Sequence, residues 1–198
     1  MPVTSAQVRM ARAALNWTVR ELAAATGLHR NTIINIEVGR YGGNQESQAL
    51  IEVVFRKAGV VFLPQDGVRL LNPEVTKAAA SNIVDGSSEA GTDISYDRKH
   101  SIPVLNSLSS GQIRAGRALL RWSAEELARA SAVGITTIRR AELTEHRTSL
   151  TAANDLAIRH ALEAAGIELI DENGGGPGLR LREPTLGKKP GAKVSPPR

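Results

Sequence analysis

The sequence predicts a mainly α-helical chain: two small helical units, each closed by a short C-terminal β-hairpin, joined by a flexible linker. Three observations carry that prediction. The stretch TVRELAAATGLHRNTIINIEVGR at residues 18–40 reads as two short helices around a tight turn, and a near copy, SAEELARASAVGITTIRRAELTE, begins at Ser123. Thr4 with Gln7, and Thr18 with Glu21, have the spacing of capping boxes, in which each side chain satisfies a backbone donor of the other, so helices start there. Between the repeats, from residue 72 to about residue 104, large apolar side chains thin out, the net charge is −2, and Asp85-Gly86-Ser87-Ser88 breaks any regular pattern, as in a linker. The divisions are therefore 1–72 for the first unit, 73–104 for the linker, 105–182 for the second unit and 183–198 for a disordered basic tail.

Taken in order, the first predicted helix carries Val8, Ala11 and Leu15 on one side. Arg12 falls on or near that side, and Glu37, at the end of the third helix, offers it a partner. The pairing recurs as Arg117 with Glu142. Trp17 and Trp122 stand at matching places between the first and second helices, where packing is their expected role. In the second helix Leu22 and Ala23 form a narrow buried face. Gly27 ends it in the left-handed conformation, and Leu28 turns the chain back toward the core. In the third helix Ile33 and Ile36, three apart, face inward, so Arg30, Asn31, Ile34 and Asn35 face out. Leu50, Ile51, Val54 and Phe55 give a fourth helix its apolar face, which Gly59 ends. Val60 to Leu63 and Val68 to Leu71 then read as a hairpin around Pro64-Gln65-Asp66-Gly67. A lone two-stranded ribbon is marginal, which makes this hairpin a contact between repeats or between subunits, including a homodimer.

The second unit repeats the first at an offset of 105 residues up to the Glu37/Glu142 pair, and at 107 in the later helix. Gln7, Arg9, Arg12, Leu15, Trp17, Glu21, Leu22, Thr32 and Ile33 return as Gln112, Arg114, Arg117, Leu120, Trp122, Glu126, Leu127, Thr137 and Ile138, the mark of internal duplication. The copies differ in places that matter. Ala132 replaces Gly27 and Thr144 replaces Gly39, so the second unit is expected to turn less tightly. Glu125 replaces Arg20 and Glu145 replaces Arg40. The first unit carries 8 basic and 5 acidic side chains and the second 10 and 9, net +3 against net +1. A second hairpin is expected from Gly166 to Ile170 and Leu179 to Arg182, around Asn173-Gly174-Gly175-Gly176-Pro177-Gly178. That glycine-rich loop lacks the Lys-Ser/Thr pair and following helix of a P-loop. A flexible linker of this length spans about 30 Å, near the roughly 34 Å of one DNA turn, so two tethered units could reach successive grooves.

The outward side of the third helix has the chemistry of base reading. Arg can donate two bonds to guanine, Asn can pair twice with adenine, and Ile34 can meet a thymine methyl, although a solvated helix face is the plain alternative. At these residues the chain resembles the Cro/C1-type, or XRE-family, helix-turn-helix domains of the lambda-repressor-like fold. The resemblance rests on an Arg in the first helix, the Glu-Leu-Ala run, the Thr-Ile pair and a Glu at fixed spacing, over roughly 7–59 and again 112–166. It implies base contacts for Arg30, Asn31 and Asn35, while Ile34, and Ile135, Thr136, Arg139 and Arg140 in the copy, are base-reading candidates from their place on the outward faces. It implies phosphate contacts for Arg20, His29, Arg40 and Arg147, and a structural bridge for each of Arg12–Glu37 and Arg117–Glu142. The glutamine the family often places first in the second helix is Val19 here and Ala124 in the copy.

Composition bounds the function. The 198 residues include no cysteine, which excludes disulfides and thiolate metal sites and fits a reducing, cytoplasmic setting. No run approaches the roughly 18 apolar residues of a membrane span. A net charge of +5 suits a polyanion, and Lys188, Lys189, Lys193 and Arg198 in the tail add nonspecific attraction. His29, His100, His146 and His160 lack metal-ligand spacing, no catalytic motif or cofactor site is present, and an enzyme is not expected. Two readings stay open. One is a sequence-specific double-stranded DNA-binding transcriptional regulator, the first unit being the main reader, that acts by blocking polymerase. The other is a module that kept the fold but binds another regulatory protein, as an antiactivator or antitoxin does.

Overall fold

The computed structural model describes residues 3–40, 43–71, 107–144, 148–172 and 175–182. The expected linker at 73–104, the tail at 183–198, and His100, Glu145, His146 and Arg147 lie outside the described residues. In the described residues the chain forms eight helices and four strands in two runs of the same order. The first run is α1 (Ser5–Ala14), α2 (Val19–Thr26), α3 (Arg30–Val38), α4 (Gln45–Lys57), β1 (Val60–Leu63) and β2 (Gly67–Leu70). The second is α5 (Ser110–Leu120), α6 (Ala124–Ser131), α7 (Ile135–Leu143), α8 (Ala152–Ala164), β3 (Ile167–Ile170) and β4 (Gly178–Leu181).

Caps set the helix starts. Thr4 Oγ1 accepts from the Gln7 amide while Gln7 Oε1 accepts from the Thr4 amide, both at 3.1 Å. Gln7 also works across the fold: its Nε2 donates to Leu63 O at 2.8 Å and Gly67 O at 3.2 Å, tying the start of α1 to the turn between β1 and β2. Gln112 repeats this, capping with Ser109 and donating to Ile170 O and Gly178 O, each at 2.9 Å. Boxes at Thr18/Glu21 and Ser123/Glu126 open α2 and α6. The turn after α2 passes through Gly27 at φ 72°, in the left-handed region. Ala132 takes the same conformation at φ 54°, so the second turn is as tight as the first. The expectation of a looser turn is corrected: the packing around it imposes a backbone that alanine adopts at a cost of about 1 kcal/mol. Thr144, by contrast, ends α7 with extended backbone where Gly39 ends α3 left-handed.

Each run buries its own aliphatic face. Val8, Ala11, Leu22, Ile33, Ile36, Ile51 and Phe55 are buried in the first, and Ile113, Leu127, Ile138, Ile158 and Leu162 in the second. At about 1.5–3 kcal/mol per fully buried large aliphatic side chain, these contacts are the main term opposing chain entropy. Trp17 stacks on Phe55, 6.0 Å between ring centres, and Trp122 is buried.

The two runs then join. The hairpins are not separate ribbons: they form one antiparallel sheet in the order β1-β2-β4-β3. Val68 pairs with Leu179 and Arg69 with Gly178. A Cβ at Gly178 would stand 2.8 Å from Val68 O, so only glycine lets the two strands approach this closely. The pairing uses the inner edges of both hairpins and leaves β1 and β3 as the outer strands. Alongside, α1 packs on α5, where Gly111 eases the approach: a Cβ there would stand 3.3 Å from Ala14 O of α1 and 2.6 Å from Leu70 Cδ1 of β2. The separation of the two runs is therefore set by direct packing. Of the two contacts expected for the first hairpin, between repeats or between subunits, the structure shows the one between repeats.

Candidate nucleic-acid interface

The candidate surface is built on α3. Ile33 and Ile36 are fully or almost fully buried and anchor the helix on α1 and α2. Three-residue spacing then carries Arg30 and Asn31 to the solvent side, where both are exposed, with Ile34 and Asn35 half-buried beside them. His29 is the N-cap: its Nδ1 accepts from the Asn31 amide at 3.2 Å. In the tautomer this bond requires, Nε2 carries the proton and is a donor. The first turn of α3 holds no acidic residue, so the positive end of the helix dipole there favours an anion. Arg20, in the first turn of α2, and Arg40, just beyond the Gly39 cap, are exposed on the same run. This collection can donate in parallel to base edges from Arg30 and Asn31 and to phosphates from Arg20, His29 and Arg40.

The helix is held at its far end by ion pairs. Arg12 Nε and Nη2 donate to the two Glu37 oxygens at 2.5 and 2.9 Å, and Nη1 donates to Trp17 O at 2.9 Å. Arg117 makes the same fork on Glu142, at 2.6 and 2.9 Å, and donates to Trp122 O at 2.8 Å. These pairs fix α3 against α1 and α7 against α5 without touching the outward faces.

The corresponding face of α7 is different. Thr136, Arg139 and Arg140 are exposed and Ile135 is half-buried. Gly134 caps the helix with no side-chain bond. Arg139 Nη2 lies 3.1 Å from Glu125 Oε1, with both side chains about 60% exposed (61% and 60%). A pair so wet contributes about 0–1 kcal/mol and opens easily, but it places a carboxylate where α2 offers Arg20.

A group with no assigned role in the sequence proves central to the junction. Arg9 Nε donates to Ala118 O at 2.8 Å and its Nη1 to Glu37 O at 2.7 Å. Arg114 mirrors it, donating to Ala13 O at 2.8 Å, to Ala14 O at 2.7 Å and to Glu142 O. Each guanidinium thus satisfies last-turn carbonyls of two helices, one from each run, where the helix dipole favours a cation. Burial, then the nearby Arg121 charge, lowers the Arg9 pKa to about 10, still far above neutrality, so the cation persists. Burial likewise lowers that of Arg114, against the attraction of Glu142. The available signal was recurrence: Arg9 and Arg114 return at the same offset as the bridging arginines. Carbonyl partners leave no trace in sequence.

Residues 8–42, which run from within α1 past the end of α3, match the profile of the helix-turn-helix family. No curated protein and no solved structure matches the chain. The profile match, with the α1–α3 geometry, supports an XRE-type helix-turn-helix, a class of DNA-binding transcription regulators. No helix among the described residues is long and apolar enough to cross a membrane. No cluster that could hold a metal ion occurs among the described residues.

Proposed function

We propose that the chain is a sequence-specific transcriptional regulator of double-stranded DNA that reads bases chiefly through α3. The observation that carries this reading is the division of that helix. Ile33 and Ile36 are buried, while Arg30 and Asn31, with bidentate base-reading chemistry, are exposed at its first turn. The profile match over the same helices supports it. In this reading Ile34 and Asn35 extend the base contacts, and Arg20, His29 and Arg40 hold phosphates. The second run is a second helix-turn-helix head with Ile135, Thr136, Arg139 and Arg140 on its outward face. It contributes less affinity, since Glu125 stands where Arg20 does and its net charge is +1 against +3. Occlusion of polymerase is the simplest mode of action. The test is fluorescence anisotropy with genomic fragments at several salt concentrations. Specific binding, with log K falling linearly as log salt rises, is expected. Binding that never exceeds that to random duplex would contradict it.

A second reading, a module that binds another regulatory protein, draws support from the exposed side chains of Val38 and Leu143, 42% and 78% accessible at the ends of α3 and α7. It predicts a chain that ignores duplex DNA and is captured by a protein partner instead.

A further inference from the structure

We infer that this single chain is a built-in pseudo-dimer that reads one composite DNA site with two unlike halves at fixed spacing, one chain per site. The inference rests on the DNA-binding function proposed above and adds the architecture of the site it takes.

The junction between the runs has the signature of a two-fold axis. Arg9 bonds to Ala118, and Arg114, its equivalent 105 residues on, bonds to Ala13, the equivalent of Ala118. In the sheet, the second residue of β2, Val68, pairs antiparallel with the second residue of β4, Leu179. Equivalent residues opposite one another are what an isologous interface requires. Such an interface is closed, because the patch on each half that fits the other is already occupied. A second chain is therefore not needed to complete it.

That axis also relates the two outward faces. Arg9 joins the end of α3 to the end of α5, and Arg114 joins the end of α7 to the end of α1, so the last turns of α3 and α7 both lie beside the axis. A two-fold rotation preserves the component of any direction along the axis. Both outward faces thus share the same component along the axis, and the proposed site is a duplex laid across the axis on the side to which that component points. With the runs packed rather than tethered, the spacing between half-sites is a property of the folded body.

The halves are unlike because the faces are. At equivalent positions Arg30, Asn31, Ile34 and Asn35 become Ile135, Thr136, Arg139 and Arg140. The first set suits guanine and adenine edges early in the helix. The second offers an apolar contact for a thymine methyl early, and two guanidiniums for guanine later. A symmetric dimer reads a palindrome, whereas this body reads two different words.

The test is selection of the full-length chain on a random duplex pool, then measurement on the enriched sequence. The expected result is a bipartite, non-palindromic motif bound by one chain per duplex, as read by native mass spectrometry. Insertion of about 5 bp between the halves turns one to the opposite face of the duplex and should weaken binding by about tenfold or more. Replacing the second half by an inverted copy of the first should weaken it by a similar factor. Two chains on a palindrome, or binding that is indifferent to the insertion, would overturn the pseudo-dimer and leave the regulator intact. A motif confined to one half-site would do the same. If no sequence is enriched over the starting pool, the proposed function itself falls, and this inference with it.

Discussion

Replacing Arg12 by alanine should destabilise the protein by about 3 kcal/mol. The fork on Glu37 closes at 2.5 and 2.9 Å, and the third guanidinium contact, to Trp17 O, lies at 2.9 Å. The Glu37 side chain is 9% exposed and that of Arg12 is 20% exposed. Truncation would leave a nearly buried carboxylate and a carbonyl without their donor, the situation in which breaking a buried pair costs about 3–5 kcal/mol. Water reaches the edge of this pair, so the lower end applies. For a folded body of this size the unfolding entropy is about 0.3 kcal/mol/K, and the shift in Tm is about −10 °C. Urea unfolding followed by the fluorescence of Trp17 and Trp122, one beside each bridge, measures it directly. Arg117→Ala should cost nearly as much, since its pair is 22% and 12% exposed. Arg12→Met combined with Glu37→Met should recover most of the loss, because no charge is then left stranded. An Arg12→Ala midpoint corresponding to less than about 1 kcal/mol would refute the reasoning and mean that the carboxylate finds water when its partner is gone.

Two further predictions follow from charge. Glu125→Arg, which restores the sign found at Arg20 and releases Arg139, should strengthen DNA binding and steepen the salt dependence by about one phosphate equivalent, a slope change near 0.9; an unchanged slope in the anisotropy titration would place this helix start away from the backbone. Asp155 accepts from the Leu108 amide at 2.8 Å, and burial, aided by Asp171, raises its pKa above the ordinary 3.8 against the pull of that amide and of Arg159. The sign is that of a raised acid: its stabilising contribution is complete below pH 3.8 and is lost as pH rises through the folded value, so at neutrality the ionised form is a net cost. Asp155→Asn keeps the acceptor without the charge. It should be at least as stable as the native chain at pH 7, with the advantage shrinking as the pH is lowered, in urea melts at both pH values; a loss above about 1 kcal/mol at pH 7 would show that the charge is needed.

The parts of the fold legible in sequence are those set by neighbours along the chain. Thr18 and Glu21, three apart, announce the start of α2, and Gly27 its end, because caps and left-handed turns are local chemistry. The inward set of Ile33 and Ile36 follows from helical periodicity, and with it the outward placement of Arg30 and Asn31. What escaped is non-local. Ala132 has no preference for φ 54°, and only the surrounding packing holds it there. Val60–Leu63 and Val68–Leu71 read as a hairpin in need of a partner, and its second strand forms one residue earlier, at Gly67–Leu70; which edge meets the other hairpin, and in what register, is written in neither segment. Arg9 and Arg114 bind carbonyls, a partner every residue possesses, so their role is invisible until the helix ends are seen together. The same holds for the separation of the two outward faces, which depends on Gly111 and Gly178 permitting close approach.

The most direct measurement is the affinity of the Asn31→Ala and Asn35→Ala variants for the selected site and for single-base variants of it. Both substitutions leave the Ile33–Ile36 anchor and the Arg12–Glu37 fork in place, so the fold should be retained and circular dichroism should match the native chain. Each is expected to weaken binding by about 1–3 kcal/mol and to lose discrimination at one base pair while keeping its affinity for random duplex. Native affinity and undiminished discrimination in both variants would contradict base reading by α3.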